Sequence, residues 1–242
     1  NQYVDKMIVN SQYSLKRTIS MGVNPEKLIV ISGGVDCNNF KPIFSSKKFI
    51  NKKLEIVTAA RLVKFKGFEY SLKAVKEVVC NLNNQVVYTI VGDGPERANI
   101  ERIIKKLGLI NNVRLIGAVS FDNVSTHLKN KHIFLHLPIN LRTNERGSEY
   151  IHTETMGRCL CEAAASGLPA IASNVGGVSE IVQDKITGFV VNELDYLDAA
   201  NKILFLAKNR KAMAKMSDNA RKFAETDLDF RKIFSSYEEI FR

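Results

Sequence analysis

Short, fully apolar segments alternate with segments of helical periodicity along almost the whole chain. The apolar segments lack regular polar positions, as is typical of strands that are buried on both faces of a parallel sheet. Between them, apolar residues recur every three or four positions, as Phe68, Leu72, Val75 and Val79 do. This alternation predicts an α/β fold, a doubly wound parallel sheet with helices on both faces.

The predicted strands are DKMIVNS, KLIVIS, LEIVTAA, QVVYTIVG, VRLIG, HIFLHL, PAIAS and GFVV. The predicted helices are SQYSLKRTISMG, residues 67–80, ERANIERIIKKLG, FDNVSTHLKN, RCLCEAAAS, VSEIVQ and the sequence that follows GFVV. Two stretches fit neither period. We expect residues 40–53 to form a linker and the polar stretch 138–153 to form a loop.

Composition narrows the classes of partner and compartment. The 242 residues, 45% of them hydrophobic, suffice for a full core, and no apolar run has the length of a membrane span. The net charge of +10 favours phosphates, anionic lipid or nucleic acid, although dispersed lysines also solvate a surface. The four cysteines show no spacing typical of a disulfide framework or a zinc site, which predicts a reducing, cytoplasmic location.

Ligands of doubly wound sheets bind beyond the carboxyl ends of the strands, so the residues that follow each strand are the candidate ligand-binding residues. Arg61 and Lys66 follow one strand, and the glycine-rich turns GDGPE, GAVS and NVGG follow three others. The predicted loop leads to Glu154, and Glu162 lies about one turn inside the next helix. Two basic residues, several glycines and two acids therefore meet at one edge.

Each of these residue types has a use at a phosphate-bearing ligand. Arg61 and Lys66 can neutralise a diphosphate. Gly157 stands where a helix begins, so backbone N–H groups can approach an anionic oxygen there. The Glu162 carboxylate can accept two hydrogen bonds from a vicinal diol such as a ribose. Glu154 is placed to meet the group at the other end of the phosphates.

Five motifs together resemble family 4 retaining glycosyltransferases, which have the GT-B fold. Residues 154–182 resemble their donor-site signature, in which two glutamates with seven residues between them precede an alanine-rich helix, Gly-x-Pro, a strand and Gly-Gly. ISGGVDCNNFKP resembles the interdomain segment of that family, and ARLVKFKG, IVGDGPE and VRLIGAVS resemble its next three strand ends. The motifs occur in the family's order.

The resemblance implies a function and a division of roles. The chain would supply the Rossmann-like donor half of an enzyme that moves a sugar from a nucleoside diphosphate sugar to a glycan or lipid-linked acceptor, with retention and without a metal or cofactor. Its catalytic residues would be Arg61, Lys66 and Glu154. The donor-binding residues would be Gly117, Val119, Met156, Gly157, Arg158 and Glu162.

The same resemblance divides the chain into three parts. Residues 1–34 would be the last strand and helix of an N-terminal domain together with the interdomain segment. Residues 35–228 would form the nucleotide-sugar domain, and residues 229–242 a helix that crosses back. The acceptor-binding N-terminal domain would be a missing partner, so we expect the isolated chain to bind donor and to be incomplete for catalysis. Peripheral contact with the inner face of a membrane is a further expectation.

The polar stretch 138–153 departs from the family pattern, because it is longer than usual. It carries Arg142 and Arg146, which could contact an anionic acceptor, or could belong to an ordinary surface loop. Met156 replaces the usual aromatic residue.

Other interpretations stay open at this stage. Another GT-B enzyme, such as a sugar-nucleotide epimerase, or a non-catalytic nucleotide-sugar-binding module would share much of the pattern, whereas the motif of Glu154 and Glu162 argues against a phosphorylase. We expect no nucleic-acid partner, because the sequence shows no interleaving of aromatic and basic residues. Glu162 could be an exposed helix residue, Glu180 could only stabilise a helix start, and the basic residues from 208 to 222 could be a solvated face or a membrane-surface patch. No metal-ligand spacing joins His127, His132 and His136, and we assign them to helix or strand positions.

Overall fold

The computed structural model describes residues 4–42, 53–145 and 147–240. The strands are β1 Met7–Val9, β2 Leu28–Val30, β3 Leu54–Ala59, β4 Val86–Val91, β5 Val113–Gly117, β6 Ile133–His136, β7 Leu141–Glu145, β8 Ser148–His152, β9 Ala170–Ser173 and β10 Gly188–Val191. The helices are α1 Gln12–Ser20, α2 Phe68–Asn81, α3 Arg97–Lys106, α4 Phe121–Leu128, α5 Arg158–Ala165, α6 Val178–Ile181, α7 Tyr196–Lys208, α8 Arg210–Phe223 and α9 Phe230–Ile240. A π-helical segment, Ala224–Leu228, links α8 to α9.

A parallel sheet of six strands forms the centre of the described part of the chain. Its order is β10–β9–β6–β3–β4–β5, and every neighbouring pair is parallel. The chain runs from β3 outward through β4 to β5, and then returns to build β6, β9 and β10 on the other side. The carboxyl ends of β3 and β6 therefore flank the point at which the winding reverses, where such sheets bind ligands.

Apolar side chains fill both sides of this sheet, which explains the absence of polar positions in its strands. Successive residues of a strand face opposite sides. In β3, fully buried Ile56 belongs to the core beneath α2, α3 and α7, and fully buried Val57 belongs to the core beneath α5 and the π-helical segment. The predicted α/β fold with helices on both faces is confirmed.

A second, smaller unit consists of β1, α1 and β2, in which the two short strands pair in parallel. It is tied to the larger unit by hydrogen bonds. The Glu180 carboxylate accepts from the backbone N–H groups of Gln12 and Tyr13 at 2.7 and 2.9 Å, so it caps the start of α1. The Ser11 hydroxyl donates to the Thr155 carbonyl at 2.6 Å. Glu180 thus stabilises a helix start, but of a helix in the other unit.

The stretch that we expected to be a loop contains a β-hairpin. β7 and β8 pair antiparallel in register from Leu141–His152 to Glu145–Ser148, and Gly147 beside the turn has φ +79°. The prediction of a loop was wrong. The side chains of this two-stranded ribbon are mostly polar, so its sequence lacks the alternation of apolar and polar residues that indicates a strand. Arg142 lies in β7 and pairs with Glu149 of β8 at 2.9 Å.

The expected linker lies mostly outside the described residues, which omit 43–52. Its first residue, Phe40, is fully buried and packs edge-on against Phe121. The Arg221 guanidinium of α8 donates to the carbonyls of Phe40, Cys37 and Ala165 at 2.6, 3.1 and 2.6 Å. The described start of this segment is thus anchored against the sheet domain.

Candidate functional site

An open cleft lies at the carboxyl ends of β3, β4 and β5, beside the reversal of the winding. Three residues predicted from the sequence line it together, namely Arg61, Val119 and Glu162. The remaining lining consists of small or apolar residues, Ala59, Ala60, Val91, Gly92, Ala118 and Val124, and of Asp93, whose carboxylate pairs with Arg97. The cleft therefore combines an apolar floor with the cation of Arg61 and the carboxylates of Glu162 and Asp93, and such a mixture suits a polar organic ligand.

Glycines after β4 let two strand ends approach each other closely enough to form this cleft. A Cβ on Gly92 would lie 2.0 Å from the Ala60 carbonyl oxygen, and one on Gly94 would lie 2.5 Å from that of Leu62. Both glycines also have positive φ angles that favour glycine. The glycines of the GDGPE turn thus pack directly against the backbone on both sides of Arg61 and fix its position.

Arg61 is held by its backbone while its side chain stays exposed. The neighbouring N–H groups of Ala60 and Leu62 donate to the carbonyls of Val91 and Asp93 at 3.0 and 2.9 Å. Leu62 is fully buried and anchors the turn. The guanidinium of Arg61 forms no ion pair or hydrogen bond with any described residue. Its donors are available to a ligand in the cleft.

Glu162 lies inside the first turns of α5 with its carboxylate toward the cleft. Burial raises its pKa to about 7, and the nearby charge of Arg158 only partly opposes this effect. Within the described ranges, no side chain or backbone group donates a hydrogen bond to the carboxylate. A half-buried carboxylate without donors is costly, and hydroxyl groups of a ligand would supply what it lacks.

Glu154 has the opposite surroundings, a short distance along the chain. It is buried, and its Oε2 accepts a hydrogen bond from His136 Nε2 at 2.9 Å and another from Lys66 Nζ. Burial raises the pKa of Glu154, but the His136 hydrogen bond and the Lys66 charge outweigh this effect and hold the pKa at about 2. The carboxylate is therefore ionised at neutral pH.

His136 is a site residue that the sequence analysis missed, since we assigned it only to a strand position. It is the last residue of β6, so the rule that drew attention to strand ends could have found it. Lys66 and Glu154, which we predicted to contact different parts of a ligand, form an ion pair with each other.

The loop that carries Glu154 is fixed by the two glycines of the NVGG motif. The Gly177 N–H donates to the Glu154 carbonyl at 2.9 Å, and a Cβ on Gly176 would lie 1.8 Å from that carbonyl oxygen. The next helix, α5, then begins at Gly157, whose φ of +85° favours glycine. Within the described ranges no side chain caps the start of α5, which leaves its first N–H groups available to an anion.

The other predicted residues lie around these two carboxylates in different settings. Gly117 ends β5, and its carbonyl accepts from the Gly92 N–H at 2.8 Å. Met156 is buried, and its sulfur accepts from the Gly33 N–H at 3.2 Å, so its side chain serves packing between the two units. Arg158 is exposed at the start of α5. Arg142 is paired within the hairpin, and Arg146 lies outside the described residues.

Neither a metal centre nor a membrane span emerges from the described ranges. No group of three His, Cys, Asp or Glu side chains there could hold a metal ion. No helix of those ranges combines the length and the apolar character needed to cross a membrane. The described cysteines, Cys37, Cys80, Cys159 and Cys161, are all free.

Comparison with known proteins gives a family match. A family described as "Glycosyl transferases group 1" matches residues 39–223. The chain is 33% identical over 197 residues to the phosphatidylinositol N-acetylglucosaminyltransferase gpi3 subunit of Schizosaccharomyces pombe, a match that covers 80% of this chain and 39% of that protein. It is 28% identical to the N-acetyl-alpha-D-glucosaminyl L-malate synthase of Bacillus anthracis, covering 74% and 42%. The chain thus spans about two fifths of the length of these relatives.

Solved structures show the same fold. Anabaena Alr3699/HepE in complex with UDP and glucose superposes with a TM-score of 0.84 at 24% identity, covering all of this chain and 64% of that one. Sucrose-phosphate synthase of Thermosynechococcus elongatus gives a TM-score of 0.79 at 21% identity, covering 97% and 57%.

Proposed function

Because the chain belongs to the glycosyl transferases group 1 family, we propose that it supplies the donor-binding half of a retaining, family 4 glycosyltransferase. In this proposal the cleft holds a nucleoside diphosphate sugar. The observation that carries the proposal is the meeting of Arg61, Val119 and Glu162 in one cleft at the reversal point of the sheet. The three come from different elements, so their convergence is not a consequence of nearness in sequence.

Each part of the donor then has a partner of matching chemistry. The Glu162 carboxylate accepts hydrogen bonds from the ribose hydroxyls, which supply the donors that it lacks. The base lies by the backbone of Gly117 and Val119. Arg61 and the uncapped start of α5 face the diphosphate, and Lys66 turns to it from Glu154. Glu154 faces the transferred sugar.

The chemistry proposed for these residues is electrostatic. When the bond between the anomeric carbon and the diphosphate oxygen breaks, its electron pair leaves on the diphosphate. The acceptor hydroxyl oxygen bonds to the anomeric carbon on the same face, and its proton passes to the departing diphosphate. The positive charges of Arg61 and Lys66 and the N–H groups at the start of α5 meet the charge that develops there. No general acid is needed at the leaving oxygen, because donors that are already in place stabilise it.

The relatives suggest which donor and partners to test first. The names of several relatives include N-acetylglucosaminyl transfer, and the Anabaena structure contains UDP, so we propose UDP-N-acetylglucosamine as the first candidate donor. We further propose that an N-terminal GT-B domain completes the cleft for a glycan or lipid-linked acceptor. Lys211, Lys215 and Lys222 are exposed on one face of α8 together with Asp218, and the net positive charge of this face would suit peripheral contact with an anionic membrane.

Calorimetric titration with UDP and with uridine tests this proposal. Arg61→Ala should weaken UDP binding about tenfold or more, because one charged hydrogen-bond partner of the diphosphate is lost. Uridine binding should stay unchanged, since uridine has no phosphate. Arg114→Ala provides the matched control, because Arg114 is also exposed but lies near the amino end of β5. Equal losses for UDP and uridine, or a chain that binds no nucleotide, would contradict the proposal.

A further inference from the structure

We propose that His136 is a positioning residue that fixes the Glu154 carboxylate with one oxygen turned toward the transferred sugar. This role depends on the donor binding proposed above, and it follows from the ion pair between Lys66 and Glu154. Lys66 cannot serve the diphosphate and remain fully committed to Glu154. A second donor must therefore hold that carboxylate when Lys66 moves.

The two oxygens of Glu154 are used unequally. His136 Nε2 and Lys66 Nζ both donate to Oε2. In the described part of the chain Oε1 has no hydrogen-bond partner, and it is not among the fully buried polar atoms that lack one. Oε1 is thus the oxygen that solvent reaches and that a sugar hydroxyl can approach. The His136 bond determines which of the two oxygens faces outward.

His136 performs this task as a neutral ring. An ionised carboxylate only accepts hydrogen bonds, so Nε2 must carry the hydrogen. Nδ1 is buried and has no partner, so a proton added there would stay without an acceptor at a considerable cost in free energy. Burial also lowers the pKa of His136. A neutral donor holds Glu154 and leaves its negative charge intact.

The backbone around His136 is fixed, which makes the ring a suitable anchor. His136 pairs in register with Ala172 of β9, and the preceding carbonyl of Leu135 accepts a hydrogen bond from the Thr58 hydroxyl. On the other side, a Cβ on Gly67 would lie 1.7 Å from the Leu137 carbonyl oxygen, so Gly67 packs directly against that peptide. The same close approach brings Lys66, the residue before Gly67, beside the histidine.

Two substitutions of His136 distinguish positioning from general support of the fold. Glutamine can place its amide N–H near the former Nε2 and keep the hydrogen bond, whereas leucine fills space without a donor. For each variant, calorimetry should give the dissociation constants of UDP and of UDP-N-acetylglucosamine, with UDP-glucose as a second sugar donor. For each sugar donor, the ratio of its dissociation constant to that of UDP isolates the contribution of the sugar to binding.

We expect His136→Leu to leave UDP affinity within about twofold of the wild-type chain and to weaken UDP-sugar binding roughly tenfold. His136→Gln should restore most of the loss. His132→Gln serves as the matched control, because that buried histidine lies just before the opposite end of β6 and its Nδ1 accepts from the Glu55 N–H at 2.9 Å. For His132→Gln, the ratio of the UDP-sugar dissociation constant to the UDP dissociation constant should equal that of the wild-type chain.

Several results would overturn this role. A fall in UDP and UDP-sugar affinity by the same factor would assign His136 to the fold alone, as would a glutamine variant no better than the leucine variant. If His136→Leu does not fold, His136→Asn replaces it, since its shorter amide stops short of Glu154. A wild-type chain that binds UDP but gains nothing from the sugar refutes the role of His136 while donor-cleft binding stands. A wild-type chain that binds neither ligand refutes both.

Discussion

Glu154 and Glu162 stand near the start of the same helix with seven residues between them, and the fold gives them opposite environments. Glu154 accepts two hydrogen bonds from side chains of other elements and has a pKa of about 2. Glu162 has no donor within the described ranges, and its pKa is raised to about 7. The protein thus holds Glu154 through one of its two oxygens, whereas it holds neither oxygen of Glu162 within the described ranges.

The difference arises from the elements that surround each residue. The loop before α5 crosses the ends of β3 and β6, so Glu154 meets Lys66 and His136 there. Glu162 lies about one turn inside α5 and faces the open cleft, which is lined mainly by alanine and valine side chains besides Arg61 and Asp93. Identical side chains in one motif can thus have opposite surroundings, one bonded to other protein groups and the other open to the cleft.

The largest expected effect contrasts the two residues in the stability of the fold. Glu154→Ala leaves Lys66, whose side chain is only 13% exposed, without its counter-ion and His136 without its acceptor. Removing one partner of such a buried pair should lower the free energy of unfolding by about 3 kcal/mol. Glu162→Ala removes no hydrogen bond and should not lower it. Urea denaturation of both variants checks this contrast, and equal losses would abolish it.

For UDP affinity the order of the two effects should be reversed, with the larger effect at Glu162 and the smaller at Glu154. Glu162→Ala removes the proposed acceptor of the ribose hydroxyls, so UDP should bind about tenfold to a hundredfold more weakly, or roughly 1.5–3 kcal/mol. Glu154→Gln should leave UDP affinity nearly unchanged, because UDP carries no sugar at the end that Glu154 faces. Titration calorimetry on folded protein measures both constants. Unchanged UDP affinity in Glu162→Ala would remove the ribose assignment.

The pH dependence of stability should show the same contrast. The unfolded chain releases the Glu162 proton near pH 4.5 and the folded chain near pH 7, so the folded state loses relative stability as the pH rises between these values. For Glu154 the folded pKa lies below the unfolded one, so its contribution is present above about pH 4.5 and is lost as the pH falls toward 2.

Denaturation of the wild-type chain and Glu162→Gln at pH 5 and pH 8 isolates the first of these effects. From pH 5 to pH 8, the free energy of unfolding of the variant should rise by about 1–2 kcal/mol relative to that of the wild-type chain. This figure allows for partial access of solvent to Glu162. Saturating UDP should reduce the difference, because its hydroxyls stabilise the ionised carboxylate. A difference that stays constant with pH would show that Glu162 is not perturbed as the structure indicates.

The smallest effect is expected at the hairpin, where an ion pair lies in solvent. Arg142 and Glu149 are 69% and 55% exposed at the side chain, so Arg142→Ala should change the free energy of unfolding by less than about 0.5 kcal/mol. Together with the Lys66–Glu154 pair, this result would calibrate what burial adds to an ion pair in this protein. A loss as large as that of Glu154→Ala would show that the hairpin supports the fold.

Sequence patterns predicted the sheet because its strands obey one simple rule. Residues such as Ile56 and Val57 must both be apolar when both faces are covered, and the strand ends then locate the cleft. Arg61 and Glu162 followed from that rule and from the family resemblance. The assignment of Arg61, Lys66 and Glu154 to catalysis, the donor-binding roles and the three-part division of the chain remain predictions.

Pairings between distant segments could not be predicted in this way. Lys66 and Glu154 are 88 residues apart, and the packing of Gly67 on the Leu137 carbonyl and of Gly176 on the Glu154 carbonyl brings them together. The hairpin escaped notice because its exposed ribbon needs no apolar face. The role of Glu180 escaped notice because its partners belong to α1, in the other unit.

The hydrogen bonds between the small β1–α1–β2 unit and the Glu154 loop bear on the recombination of related enzymes. Ser11 bonds to the Thr155 carbonyl, and Glu180 caps α1 across the boundary. In a chimera joined after residue 34, the two partners of each of these hydrogen bonds would come from different parent proteins. The crossover would also lie close to the Glu154 loop. A crossover before β1 would instead inherit the loop and its supports as one block.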